Sequence, residues 1–131
     1  MNSSLQSIDL RNNNIGAEGA GKFAEALKVN SSLQSIFLFD NKIGDEGAIK
    51  ISDALQVNSS LQSIHLGGNN IGVTLLQEIK NYIERNVANF KFQQKLASVC
   101  LFEALSKRRG RLDWNVVICD FFPLLGWSKI I

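Results

Sequence analysis

Asn2-Ser3-Ser4-Leu5-Gln6-Ser7-Ile8 recurs as Asn30-Ser31-Ser32-Leu33-Gln34-Ser35-Ile36, and again as Asn58-Ser59-Ser60-Leu61-Gln62-Ser63-Ile64. The period is 28 residues, with no slip between copies. Residues 2–29 and 30–57 are identical at 18 of 28 positions, so duplication rather than chance produced them. Self-similarity at a period of about 20–50 residues marks a repeat architecture, in which one supersecondary unit stacks on the next.

Each unit has two halves with different periods. The first half reads Leu5-x-x-Ile8-x-Leu10-x-x-Asn13-x-Ile15, then Leu33, Ile36, Leu38, Asn41 and Ile43, then Leu61, Ile64, Leu66, Asn69 and Ile71. Alternation at Ile8 and Leu10 predicts a short strand with one buried face. A chain that turns sharply after a strand leaves backbone donors and acceptors unpaired. An amide side chain carries both kinds of partner, so Asn13, Asn41 and Asn69 are expected to be buried as a structural ladder. The second half is helical. Ala20, Phe23, Ala24 and Leu27 share one face at i, i+3, i+4, i+7 spacing, as do Ala48, Ile51, Ser52 and Leu55. Glu18, Asp45 and Glu46 fall in first turns, at the positive end of the helix dipole. Parallel strands are expected near 6–10, 34–38 and 62–66. Helices are expected near 17–28, 45–56 and 73–85, on one side only.

These motifs, with the Ile-Gly that follows each Asn and the Glu-Gly-Ala of the first two helices, resemble the ribonuclease-inhibitor-like subfamily of leucine-rich repeats. NOD-like receptors and Ran-type GTPase activators carry the same kind of unit. The resemblance covers residues 2–86. It implies an α/β leucine-rich-repeat solenoid: a right-handed β-α superhelix with a parallel inner sheet and outer helices. The domain reading is three repeats (2–29, 30–57 and 58–86), followed by a mostly helical, non-repeating C-terminal cap at 87–131.

In the tail, Phe90, Phe92, Leu96, Val99, Cys100, Phe102 and Leu105 scan as a helix with a wide apolar face. Residues 90–106 are expected to cover Leu75, Leu76, Ile79 or Tyr82 of the last helix. Cys100 and Cys119 read as buried, inert thiols. Asp113 could cap a further short helix that Pro123 would end or kink. Residues 1–86 carry a net charge of −2 and residues 87–131 one of +4. The first repeat follows Met1 directly, so the N-terminal edge reads as uncapped, the mark of a longer array or of a surface for self-association.

Composition narrows the function classes. The net charge is +2, so no overall field asks for nucleic acid. No apolar run is long enough to predict a membrane span. With one histidine and two cysteines there is no metal-ligand cluster, and no cofactor or metal is expected. No catalytic residue is predicted, since no nucleophile has a histidine in plausible reach. Asp9 and His65 lie two strands apart, at about 10 Å, too far for an acid–base pair. Gly67-Gly68 lacks the following Lys-Ser/Thr of a phosphate loop. The three Asn-Ser-Ser sites fit the glycosylation pattern, but the repeat consensus accounts for them.

What remains is the outward face of the sheet. With Ile8 and Leu10 inward, Ser7, Asp9 and Arg11 point out, as do Ser35, Phe37 and Phe39, and Ser63, His65 and Gly67. The serine column is constant and the other two vary, as a binding surface would. Phe37 and Phe39 are the expected anchors, with Asp9, Arg11 and His65 at the rim. The bland alternative is that the two rings pack on Arg11, His65 or the tail and bind nothing. The expectation is a non-catalytic, cytoplasmic protein-interaction module, binding another protein through the concave sheet or the tail. The alternatives are a fragment of a GTPase-activating or NOD-like regulatory protein, or a structural remnant with no retained partner.

Overall fold

A computed structural model describes residues 3–106. The elements run β1 (Ser7–Asp9), α1 (Gly16–Val29), β2 (Ser35–Phe37), α2 (Gly44–Val57), β3 (Ser63–His65) and α3 (Val73–Ser106). The strands form one parallel sheet in the order β1-β2-β3. Its register repeats the sequence period: Ile8 pairs with Ile36, and Ile36 with Ile64. The chain divides into two compact units, Met1–Phe92 and Gln93–Ile131. The sheet, its core and the site below all belong to the first.

The core forms where the inward strand positions meet the apolar helix faces. Ile36, Leu38, Ile43, Ile51, Leu55 and Leu61 are fully buried, together with Leu27 and the small Ala20, Ala24, Ala48 and Ala54. The small residues also set the helix spacing. A Cβ placed on Gly47 of α2 would lie 3.0 Å from the Ala20 Cβ and 3.1 Å from the Ala17 Cα of α1. A side chain at 47 would be tighter than ordinary packing and would need α1 to give by a few tenths of an ångström.

Each strand leads into a turn with left-handed residues at alternate positions. These are Asn12, Asn14 and Gly16, then Asp40, Lys42 and Gly44, then Gly68 and Asn70, all with φ between 51° and 70°. Asn, Asp and Gly tolerate this region best, which explains the polar, glycine-dotted turns. Lys42 is the departure.

The asparagine ladder runs between repeats. Asn41 is fully buried. Its Oδ1 accepts from the backbone N–H of Asn13 (3.0 Å) and Ile15 (3.3 Å), and its Nδ2 donates to Leu10 O (2.7 Å) and Phe39 O (3.0 Å). Asn69 does the same for repeat 2, accepting from Asn41 and Ile43 and donating to Leu38 O. Each amide therefore reaches back to the preceding turn. This corrects the expectation for Asn13, which is exposed and whose side-chain amide donates to Arg11 O of its own turn. It lies on the edge repeat, and no described repeat stands before it to receive its amide.

A second ladder joins the first. Asn58 Oδ1 accepts from the N–H of Ser60 and Leu61, while its Nδ2 donates to Leu27 O and Asn30 O. Asn86 Nδ2 donates to Asn58 O and Leu61 O. Asn58 is 4% exposed, so its amide nitrogen is committed inside the fold and closed to a glycan. Beside it, Arg85 closes the end of α2. Its guanidinium donates to Leu55 O (2.7 Å), Gln56 O (3.3 Å) and Asn58 O (3.0 Å). These carbonyls fall at the negative end of the helix, where a cation is favourable. Val29 and Val57 hold the same register in repeats 1 and 2 and lie exposed.

The last helix departs from expectation. The sequence reading ends it near 85, with 90–106 as a separate helix covering it. Residues 90–106 are helical, but α3 runs unbroken through them. Phe90 and Phe92 thus lie about 20 Å along the same axis from Leu75 and Leu76 and do not fold back over them. Leu76 is 37% exposed, whereas Ile79 is buried against the core. Cys100, expected buried, is exposed. The expectations for Cys119, Asp113 and Pro123 lie outside the described residues.

Ser52 gives a stability prediction. Its hydroxyl is buried on α2 with no hydrogen-bond partner. Repeat 1 places Ala24 at the same register, also buried. An unsatisfied buried hydroxyl costs about 1–3 kcal/mol, and alanine is the better helix former. Ser52→Ala should therefore raise the free energy of unfolding by about 1 kcal/mol. An unchanged or lower denaturant midpoint would show that the hydroxyl is satisfied in solution.

Candidate functional site

Strand alternation turns Ile8, Ile36 and Ile64 toward the core and presents residues 9, 37 and 65 on the opposite face, in register. The five residues named from the sequence do come together there, in a different arrangement. The Phe37 and His65 rings stack at 4.8 Å with 5° between their planes. Phe39 and His65 stack at 5.6 Å and 19°. Both distances suit offset aromatic pairs. His65 is therefore a central member of the strip and not part of its rim. Ser63 Oγ lies 3.1 Å from His65 Nε2, fixing that ring from its own strand. Phe37, Phe39 and His65 are all half-buried. The rings pack on one another, as the bland alternative held, and still reach solvent.

The strip continues into repeat 1. The Arg11 guanidinium carbon lies 5.8 Å from the Phe37 centroid, within cation–π range. Asp9 holds it there. Arg11 Nε donates to Asp9 Oδ1 (2.9 Å) and Oδ2 (3.0 Å), and Nη2 donates to Oδ2 (2.6 Å). The backbone N–H of Arg11 adds a bond to Oδ1 (3.1 Å). Side-chain hydrogen bonds from Arg11 hold the Asp9 carboxyl below its ordinary 3.8, and Asp9 raises Arg11 in turn. Because the folded pKa of Asp9 is depressed, the tether is present above the ordinary carboxylate value and is lost as pH falls through the lowered one. An NMR titration should find the Asp9 midpoint below 3.8, with the Arg11 side-chain resonances moving at the same pH. A midpoint at the ordinary value would mean that the pair does not persist in solution.

Among the described residues, no group of three His, Cys, Asp or Glu side chains could hold a metal ion. None of the described helices is long and apolar enough to cross a membrane.

A family model described as "Leucine Rich repeat" matches residues 2–24, 29–52 and 57–74, one match in each 28-residue unit. The repeats are leucine-rich repeats. The sheet, helices and register described above are the α/β fold of that class. Among solved structures, the leucine-rich-repeat chain is similar to "Leiomodin-1 Actin-Binding Site 2 (ABS2)", at 19% identity and a TM-score of 0.61. The match covers 77% of this chain and 74% of that one. The tropomodulin C-terminal domain of Caenorhabditis elegans matches at 10% identity and a TM-score of 0.34, over 71% of this chain and 90% of that one. At these identities the likeness is one of fold. No curated protein matches the chain.

Proposed function

We propose that this leucine-rich-repeat chain is a non-catalytic, cytoplasmic protein-interaction module whose contact surface is the concave strip of Arg11, Phe37, His65 and Phe39. One observation carries the reading: three stacked rings stay half-exposed on the sheet face opposite the core. Aromatic and arginine side chains in a polar surround are the usual anchors of protein interfaces. The serine column and the Asp9–Arg11 pair supply that surround. The 28-residue period and a full α-helix in each repeat support a place in the ribonuclease-inhibitor-like subfamily.

The test is comparative capture on immobilised chain, wild type against Phe37→Asp/Phe39→Asp, with circular dichroism to check the fold. Actin, the ligand for which the leiomodin-1 site is named, is the first purified probe. A protein retained by wild type and lost from the folded variant supports the reading. Equal retention by both overturns it.

A further inference from the structure

Repeat 3 departs from its neighbours at one step of the concave side. Where repeat 1 has Arg11-Asn12 and repeat 2 has Phe39-Asp40, repeat 3 has Gly67-Gly68. Two side chains are missing, and side chains of the preceding repeat occupy both spaces. A Cβ on Gly67 would lie 2.8 Å from Phe39 Cδ1 and Cε1, well inside the roughly 3.5 Å at which carbons pack. A Cβ on Gly68 would run into the Asp40 carboxylate. Phe39 therefore leans from the segment just after β2 across the backbone of repeat 3. The same ring stacks with His65, two residues before Gly67.

We propose that Gly67 is a positioning residue that sets the shape, and through it the specificity, of the concave strip. The proposal rests on reading that strip as the protein-binding surface. Without a Cβ at 67, Phe39 lies against His65, and the aromatic surface spans β2 and β3 without a break. With one, the ring must swing away, leaving a Phe37–His65 pair and a detached ring that a partner shaped to the joined strip no longer fits. Among the described glycines, Gly16, Gly44 and Gly68 lie in the left-handed region and Gly67 does not. Its backbone therefore accepts alanine, and the substitution reports on the ring. Glycine to alanine at a compatible backbone normally stabilises, so a loss here has the opposite sign to the default.

The experiment compares Gly67→Ala in the wild-type chain and in a Phe39→Ala background. The first readout is the NMR shift of the His65 ring protons, which feel the currents of the stacked phenyl rings. Gly67→Ala should move them in the same sense as Phe39→Ala and add nothing in the double variant. Retention of the protein captured by the wild-type chain should fall about tenfold or more. His65 resonances that stay in place in Gly67→Ala overturn the positioning role, as does an equal displacement in both backgrounds. A displaced ring with undiminished retention overturns the specificity role while the steric one holds, and Phe37→Asp/Phe39→Asp measured alongside separates this from failure of the binding reading, since that variant is then retained equally as well.

Discussion

Asn41→Ala should lower the free energy of unfolding by about 3–4 kcal/mol, whereas Asn13→Ala should change it by about 0.5 kcal/mol or less. The two residues hold the same register of the repeat, so sequence alone treats them as equals. The folded chain does not. Asn41 makes four hydrogen bonds to backbone groups of two turns and is fully buried. Alanine would strand the N–H groups of Asn13 and Ile15 and the carbonyl of Leu10, whereas Phe39 O would keep the backbone N–H of Asn12. Each buried unpaired group costs about 1–3 kcal/mol, and water reaching the part-buried ones reduces the total. Asn13 is exposed, and the acceptor its side-chain amide serves, Arg11 O, can bond water instead. Chemical denaturation of both variants measures the difference directly. Equal effects at 13 and 41 would mean that the amides act within their own turns and that the ladder between repeats contributes nothing.

That asymmetry separates what was legible in the residues from what was not. Strand, turn and helix could be read because three registers agree: Ile8, Ile36 and Ile64 pair as the 28-residue period requires. The direction of the ladder could not be read, because it depends on which neighbour each turn meets. The second ladder had a signal in the sequence. Asn86 continues the series Asn2, Asn30 and Asn58 at the same spacing, although Ser-Ser-Leu no longer follows it. The length of α3 escapes the repeat pattern for a related reason. At Asn86 the return to the sheet gives way to further helix, and no proline or glycine interrupts residues 73–106. In the site, alternation gave the correct face for all five residues. It could not show that His65 would stand beside both rings, because ring orientation follows from packing and from the empty position at Gly67.

Phe37→Ala/Phe39→Ala should weaken binding of a concave-face partner by well over tenfold while the fold persists. Truncating one interface hot spot costs about 2 kcal/mol or more, and tenfold in affinity is about 1.4 kcal/mol. The fold should survive because both rings lie outside the core, which rests on Ile36 and Leu38 of the same segment. The two truncations should not add. Phe37 and Phe39 each stack on His65, so losing the first loosens the support of the second. His65→Ala should then cost nearly as much as either single phenylalanine, since it removes the ring that both share. Asp9→Asn should behave differently. It frees Arg11 from its tether and should mainly change the association rate and its salt dependence, as charges at the edge of an interface do. Calorimetry on these variants, with circular dichroism to confirm the fold, separates these outcomes. A folded double variant that binds as wild type does would remove the strip from the interface altogether.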